Sequence, residues 1–493
     1  MRVSCVESAI GQDRLAQRTQ IFDFDVHDDD LLKEISVTIS IDNIYSCYYM
    51  RKTNWASGEL SPLHSSGGYR STAPTLYVRT PMSEPQIYTL DNGIRVVVEP
   101  MPGAQSVVVA FRFTFGAKDD PNDRLGITRI AEDVLFKGTP RHDARAIFDA
   151  FDGLGIRRSS STSVEYTSFL AQILPDKFKS ALELYAELFR SASFPSDQVE
   201  IAKTITLEEF KRMEDNPIQQ AMYMTYKAGL GSPMGRIPLG EPDTVSAIVP
   251  AGVRRHWDAH CRPGHLLIGV AGGLDAETVI ETVGDVFGGW AGEAPDSGES
   301  HPISVADRSV HREKPSEQAH ICLLSCGVPR GHDLYYAGQL AIAILSGGGS
   351  SRLFTEVREK RGLAYSVSAF YQAYCGGGLM AVYAGTTADR AQETLDVCQS
   401  ELARLRRDVT AEELIRAKTV LKGRLFTIGD LPEGRAGGII EDLFLEGRVR
   451  TIDEIAAGID AVTLDQIPQY IETFPPRPGT LLVLGPRPLE TGS

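Results

Sequence analysis

Arg129, Glu132 and Asp133 fall close together on one short stretch of this chain, Gly126-Ile127-Thr128-Arg129-Ile130-Ala131-Glu132-Asp133-Val134-Leu135-Phe136-Lys137-Gly138-Thr139. Ile127, Ile130, Val134 and Leu135 recur at helical spacing, which predicts a helix with one buried face, and Gly138 ends it. Arg129, Glu132 and Asp133 then project together, because positions three and four apart are neighbours on a helix. Carboxylates accept hard cations. A guanidinium does not, since it stays protonated and has no free lone pair, and it puts a positive charge where a cation would sit. By residue type alone the trio also reads as an ordinary solvated helix face. A second cluster, His256-Trp257-Asp258-Ala259-His260-Cys261, sets two histidines four apart, a metal-like spacing. No third ligand or base stands near it, so these residues read as packing. The run Gly347-Gly348-Gly349 lacks the G-x-x-x-x-G-K-[ST] pattern of a phosphate loop and reads as tight packing or a hinge.

The elements around these groups follow from periodicity. Leu90-Asp91-Asn92-Gly93 before a β-branched run is a hairpin signal. Residues 107–115 form an almost unbroken apolar run, a buried strand. Residues 144–151 look helical and 166–174 look like a strand. Residues 178–190 and 198–213 are amphipathic helices, the second broken by Asn216-Pro217. Residues 266–270 form a strand closed by Ala271-Gly272-Gly273. The chain also repeats itself. Ala202-Lys203-Thr204 returns as Ala417-Lys418-Thr419, and Arg262-Pro263-Gly264 as Arg477-Pro478-Gly479, both at an offset of 215 residues (417 − 202 and 477 − 262). Two tripeptides at one offset imply a duplicated unit of about 200 residues, with Glu209 expected to correspond to Arg424.

The stretch around Glu132 resembles the zinc helix of the pitrilysin/insulinase peptidases, the inverzincins, and most closely their processing-peptidase branch. Their pattern is H-x-x-E-H, with two His ligands and a Glu that activates water. Glu132 remains here, while Arg129 and Asp133 stand in place of the histidines; the flanking Leu135-Phe136-Lys137-Gly138-Thr139 matches. The family's third ligand, a Glu about 76 residues beyond the second His, falls on Glu209. The resemblance therefore implies a degenerate zinc site made of Arg129, Glu132, Asp133 and Glu209, with no metal in this chain. It also implies an α+β fold of two duplicated halves, each an antiparallel sheet packed with helices, in a clam-shell peptidase arrangement. In active members an Asn precedes a substrate-binding edge strand, and Ser159 holds that place.

In the second half, Val357-Arg358-Glu359-Lys360-Arg361-Gly362-Leu363-Ala364-Tyr365-Ser366-Val367 resembles the family's segment with an Arg and a Tyr seven positions apart. The resemblance implies that Arg358 and Tyr365 hydrogen-bond the substrate backbone near the scissile bond and help hold the oxyanion, a task for which both are suitable donors. A zinc-deficient chain that keeps this pair reads as the non-catalytic subunit of a heterodimeric metallopeptidase. Its partner would be a homologous subunit bearing zinc and H-x-x-E-H, and its substrate a peptide. Two other readings are a structural or peptide-binding protein without a peptidase role, and a hydrolase using a different metal at the carboxylates.

Composition narrows the setting. A net charge of −15 argues against nucleic acid or an anionic membrane as partner. No run of about 18 apolar residues spans a membrane. The N-terminal region has neither a basic n-region with an apolar run nor the basic character of a presequence, and it carries Asp23, Asp25, Asp28, Asp29 and Asp30. Seven cysteines without C-x-x-C spacing suggest reduced thiols and a cytoplasmic location. The expected organisation is an extension over 1–81 with a short strand at 35–41, a first half over 82–291 beginning at Met82, a Gly/Pro/acid-rich linker over 292–307, a second half over 308–488, and a tail over 489–493.

Overall fold

The computed structural model describes residues 84–292, 301–477 and 479–490. The expected extension over 1–81 with its strand at 35–41, the start at Met82, the acidic core of the linker at 293–300 and the last three residues of the tail lie outside the described residues.

Among the described residues eleven strands form two sheets. The first contains β1 (Gln86–Thr89), β2 (Arg95–Pro100), β3 (Val107–Phe113), β4 (Arg157–Thr162), β5 (Thr167–Ile173) and β6 (Leu266–Gly272), in the order β1-β2-β6-β3-β5-β4. The second contains β7 (Arg308–Glu313), β8 (Gln318–Gly327), β9 (Ala364–Tyr374), β10 (Gly377–Thr387) and β11 (Thr480–Gly485), in the order β7-β11-β8-β10-β9. Without β1 the two orders are the same. Each sheet has one parallel pair, β2 with β6 and β7 with β11, and is otherwise antiparallel. The helices of the first half are α1 (Ile127–Val134), α2 (Ala144–Gly153), α3 (Phe178–Ser191), α4 (Ser196–Asp215), α5 (Pro217–Leu230), α6 (Pro242–Ala247), α7 (Pro250–His260) and α8 (Ala276–Phe287). Those of the second are α9 (Tyr335–Ser346), α10 (Ala391–Arg404), α11 (Ala411–Gly429), α12 (Pro432–Glu446), α13 (Ile452–Ala461) and α14 (Gln466–Thr473). None of the helices among the described residues is long and apolar enough to cross a membrane.

The 215-residue offset is structural. Helices α4 and α11 begin at Ser196 and Ala411, α5 and α12 at Pro217 and Pro432, each pair 215 apart. Glu209 on α4 thus corresponds to Arg424 on α11. The repeated Ala-Lys-Thr has the same task in each copy. Lys203 donates to the Ile248 carbonyl at 2.8 Å and Lys418 to the Val462 carbonyl at 2.6 Å, where α6 and α13 end. A cation there offsets the negative end of the helix dipole. Thr204 and Thr419 each bond the carbonyl one turn back at 3.0 Å.

The two halves exchange a helix. One face of the first sheet packs on its own helices, with Phe111, Phe113, Phe169, Phe189 and Trp257 at the centre. On its other face Val97, Val108, Ala110 and Leu267 pack against Ala436, Ile439, Ile440 and Leu443 of α12, which belongs to the second half. Reciprocally, Ala221, Met222 and Leu230 of α5 pack on Cys322, Leu324, Leu379, Leu482 and Leu484 of the second sheet. Covering both faces explains why every residue of β3 is buried and why its sequence is a continuous apolar run. Ion pairs pin the exchange. Glu99 of β2 accepts from Arg435 Nε of α12 at 2.9 Å, both side chains buried, and Arg112 of β3 pairs with Glu441 of α12. At the equivalent place in the other half, Lys314 donates to Gln220 of α5 at 2.8 Å.

Candidate functional site

The helix α1 is set by a buried polar anchor beneath its N-terminus. The strand β3 leads into a turn that ends at Asp120, whose carboxylate accepts from Gly126 N at 2.7 Å, Thr128 N at 3.2 Å and Thr128 Oγ1 at 2.5 Å. Gly126 has φ +94, and a Cβ there would stand 2.9 Å from the Leu239 carbonyl oxygen, so glycine alone suits the entry to the helix. His256 Nε2 lies 2.7 Å from Thr128 Oγ1, and Arg236 donates to the carbonyls of Lys118 and Asp120 at 2.9 and 2.7 Å. Burial pushes Asp120 up to about 7, against the pull of its hydrogen bonds. Burial, with the nearby His260 and Arg124, pushes His256 down to about 3. His256 is thus neutral and packs under α1, its ring 4.4 Å from that of His260. Among the described residues no group of three or more His, Cys, Asp or Glu is arranged to hold a metal ion.

One turn along α1, the four residues singled out by sequence come together. The Arg129 guanidinium pairs with Asp133 one turn on, lies 3.2 Å from Glu132 Oε2, and reaches Glu209 Oε2 on α4 at 3.8 Å. Glu132 is only 2% exposed; Asp133 and Glu209 line a more open rim. The adjoining edge strand β4 contributes Thr162, which donates to Glu132 Oε2 at 3.0 Å, and Ser160 bonds the same carboxylate. These two donors were not singled out by sequence; their signal is the alternation of β4, which turns Ser160 and Thr162 toward Glu132 and Ser159 to the opposite, exposed face. Burial raises Glu132, with Arg129 opposing and Asp133 assisting. Burial likewise raises Asp133 against Arg129. Burial alone would lower Arg129, but the three carboxylates outweigh it and hold the guanidinium above its ordinary value. A catalytic zinc centre takes about three nitrogen, sulfur or oxygen ligands around an open position. Here a guanidinium stands among the carboxylates, and among the described residues no imidazole joins them in a metal-holding group; this donor set does not fit zinc.

Arg358 and Tyr365 lie in the second half and are brought together. Arg358 is on the helical turn Phe354–Glu359, and Tyr365 is the second residue of β9, an edge strand of its sheet. The guanidinium carbon lies 5.1 Å from the Tyr365 ring centroid. Arg358 is exposed, and Tyr365 is 62% exposed.

Comparison with known proteins gives these features a context. The family model described as insulinase (peptidase family M16) matches residues 95–236, and that described as the peptidase M16 inactive domain matches residues 248–421. An uncharacterised zinc protease of Bacillus subtilis, YmxG, is 31% identical over 77% of this chain and 93% of its own length. An uncharacterised zinc protease of Streptomyces coelicolor is 30% identical over 81% of this chain and 89% of its own. Among solved structures, a peptidase M16 inactive domain from Pseudomonas fluorescens superposes with a TM-score of 0.77 at 23% identity, covering 83% of this chain and 99% of that one. A protease from Helicobacter pylori superposes with a TM-score of 0.75 at 18% identity, covering 82% of this chain and all of that one.

Proposed function

We propose a function from one premise: the chain belongs to the insulinase family of peptidases, M16. Within it, this chain is the non-catalytic subunit of a two-chain metallopeptidase. The observation that carries the reading is the Arg129 guanidinium among Glu132, Asp133 and Glu209. It supplies the positive charge that a metal would otherwise bring, and it is not a ligand. The chain therefore holds no zinc, and activation of water falls to a homologous zinc-bearing partner. This chain's part is to bind and orient a peptide. Arg358 and Tyr365 donate hydrogen bonds to the substrate backbone and to the oxygen on which negative charge develops, where preformed donors act most strongly. The unpaired thiols Cys261, Cys322, Cys326, Cys375 and Cys398 suit a reducing, cytoplasmic setting.

The test has two arms. Elemental analysis of the purified chain should find far less than one zinc per chain, and peptide substrates should stay intact. Mixed with the zinc-bearing subunit, the chain should restore hydrolysis. Arg358→Ala or Tyr365→Phe should then lower kcat by about 10²–10³ with assembly unchanged. Stoichiometric zinc that is lost in Glu209→Ala overturns the reading. Turnover of both assembled variants at the wild-type rate replaces it with a scaffold role.

A further inference from the structure

The turn that carries Arg358 holds three cations within four residues, and they are treated differently. Lys360 Nζ donates to Glu356 Oε1 at 2.7 Å, and Arg361 Nη1 to Glu356 Oε2 at 2.5 Å. Arg358 has no carboxylate partner among the described residues. Its guanidinium instead lies over two rings, 5.0 Å from the Phe354 centroid and 5.1 Å from that of Tyr365. Stacking engages the faces of the guanidinium and leaves its in-plane N–H fork for an oxygen acceptor. Phe354 is one turn before Arg358 on the same short helix and packs toward the glycine run: a Cβ on Gly349 would stand 3.9 Å from Phe354 Cε1.

The backbone between Arg358 and Tyr365 is secured without Phe354. Gly362 takes φ +55. Arg390 Nη1 and Nη2 donate to the carbonyls of Gly362 and Arg361 at 2.9 and 2.8 Å. Thr386 Oγ1 donates to the Leu363 carbonyl at 2.7 Å and is itself met by Thr394 Oγ1 at 3.1 Å. Losing the Phe354 ring should therefore release the Arg358 side chain and leave the turn in place.

We infer that Phe354 is a positioning residue: with Tyr365 it clamps the Arg358 guanidinium between two aromatic faces and presents its free edge to a carbonyl or carboxylate oxygen of a bound peptide. Only the identity of that acceptor rests on the proposed function; the clamp is a property of this chain alone. Such contacts contribute about 0.5–1 kcal/mol each at exposed sites, enough to bias a side chain that otherwise samples many rotamers.

The experiment is NMR of the arginine Nε–H groups in the full chain labelled with ¹⁵N-arginine, with Arg358 assigned by the loss of its signal in Arg358→Lys. In the wild type the Arg358 signal should be ring-current shifted and rigid. Phe354→Leu keeps apolar bulk but removes one ring; the signal should lose that ring's shift and become mobile, while the thermal midpoint stays put. Phe354→Trp should restore both shift and rigidity, which a merely space-filling role does not require. An Arg358 signal as shifted and rigid in Phe354→Leu as in wild type overturns the inference, as does one already mobile in wild type. The readout is independent of catalysis. A clamp that behaves as expected beside an Arg358→Ala variant with full turnover would sink the proposed function and leave the clamp standing.

Discussion

Replacing Arg129 with methionine keeps the apolar stem and deletes the charge. The buried Glu132 then loses its partner at 3.2 Å and keeps Asp133, which opposes its ionisation. Leaving a hydrogen-bonded buried charge unpartnered costs about 1–3 kcal/mol, and breaking a fully buried ion pair about 3–5 kcal/mol. The Asp133 and Glu209 side chains remain 29% and 32% exposed, so water takes up part of their loss and the lower range applies. We expect a loss on the order of 2–3 kcal/mol at about pH 8. The loss should depend on pH. A carboxylate whose folded-state pKa is raised holds its proton longer in the folded than in the unfolded chain, so stability falls as pH rises from the unfolded value through the folded one. Glu132 and Asp133 are raised already, and Arg129 is the group that restrains both. Removing it raises them further and extends the interval over which stability is lost. Wild type and variant should therefore converge in acid, where the carboxylates are protonated, and separate as pH climbs above the ordinary carboxylate range. Urea unfolding followed by tryptophan fluorescence suits the measurement, because Trp257 and Trp290 are both buried in the core on which α1 packs. An equal loss at about pH 5 and about pH 8, or none at the higher pH, would refute the counter-ion argument.

Three further outcomes are expected. Arg435→Ala should cost about 3–5 kcal/mol by stranding the buried Glu99 against α12, whereas Glu99→Met with Arg435→Met should cost far less; a double-mutant cycle that finds the two losses additive would deny the coupling between halves. Arg129→His with Asp133→His should take up about one zinc per chain with Glu209 as third ligand, measured by elemental analysis after dialysis; no uptake would show that these positions do not surround one point. His256 should stay neutral between about pH 5 and 8 because burial lowers it to about 3, so a ring resonance that titrates in that interval would contradict its place beneath Thr128.

Much was decided by local pattern. The apolar spacing of 127–134 specifies α1, and that helix by itself puts Arg129, Glu132 and Asp133 on one face. The repeated Ala-Lys-Thr discloses the duplication because each copy needs a lysine at a helix end and a threonine bonded one turn back. The seven-residue interval between Arg358 and Tyr365 is short enough for one turn and a strand start to bring them together. Glu209 is different: its distance along the chain pointed to it only through resemblance to a family, since nothing local links α4 to α1. What the tertiary structure alone decided rests on contacts between distant segments. Periodicity shows that α5 and α12 have apolar faces but not which sheet each will cover, so their exchange between halves was invisible, as was the Glu99–Arg435 pair 336 residues apart. The same holds for the link from Asp120 through Thr128 to His256: the histidine pair stood out by its spacing, but nothing in the sequence placed it under α1. Whether a carboxylate is solvated or held above its ordinary pKa depends on what is buried around it, and burial is a property of the assembled fold, not of any stretch of chain.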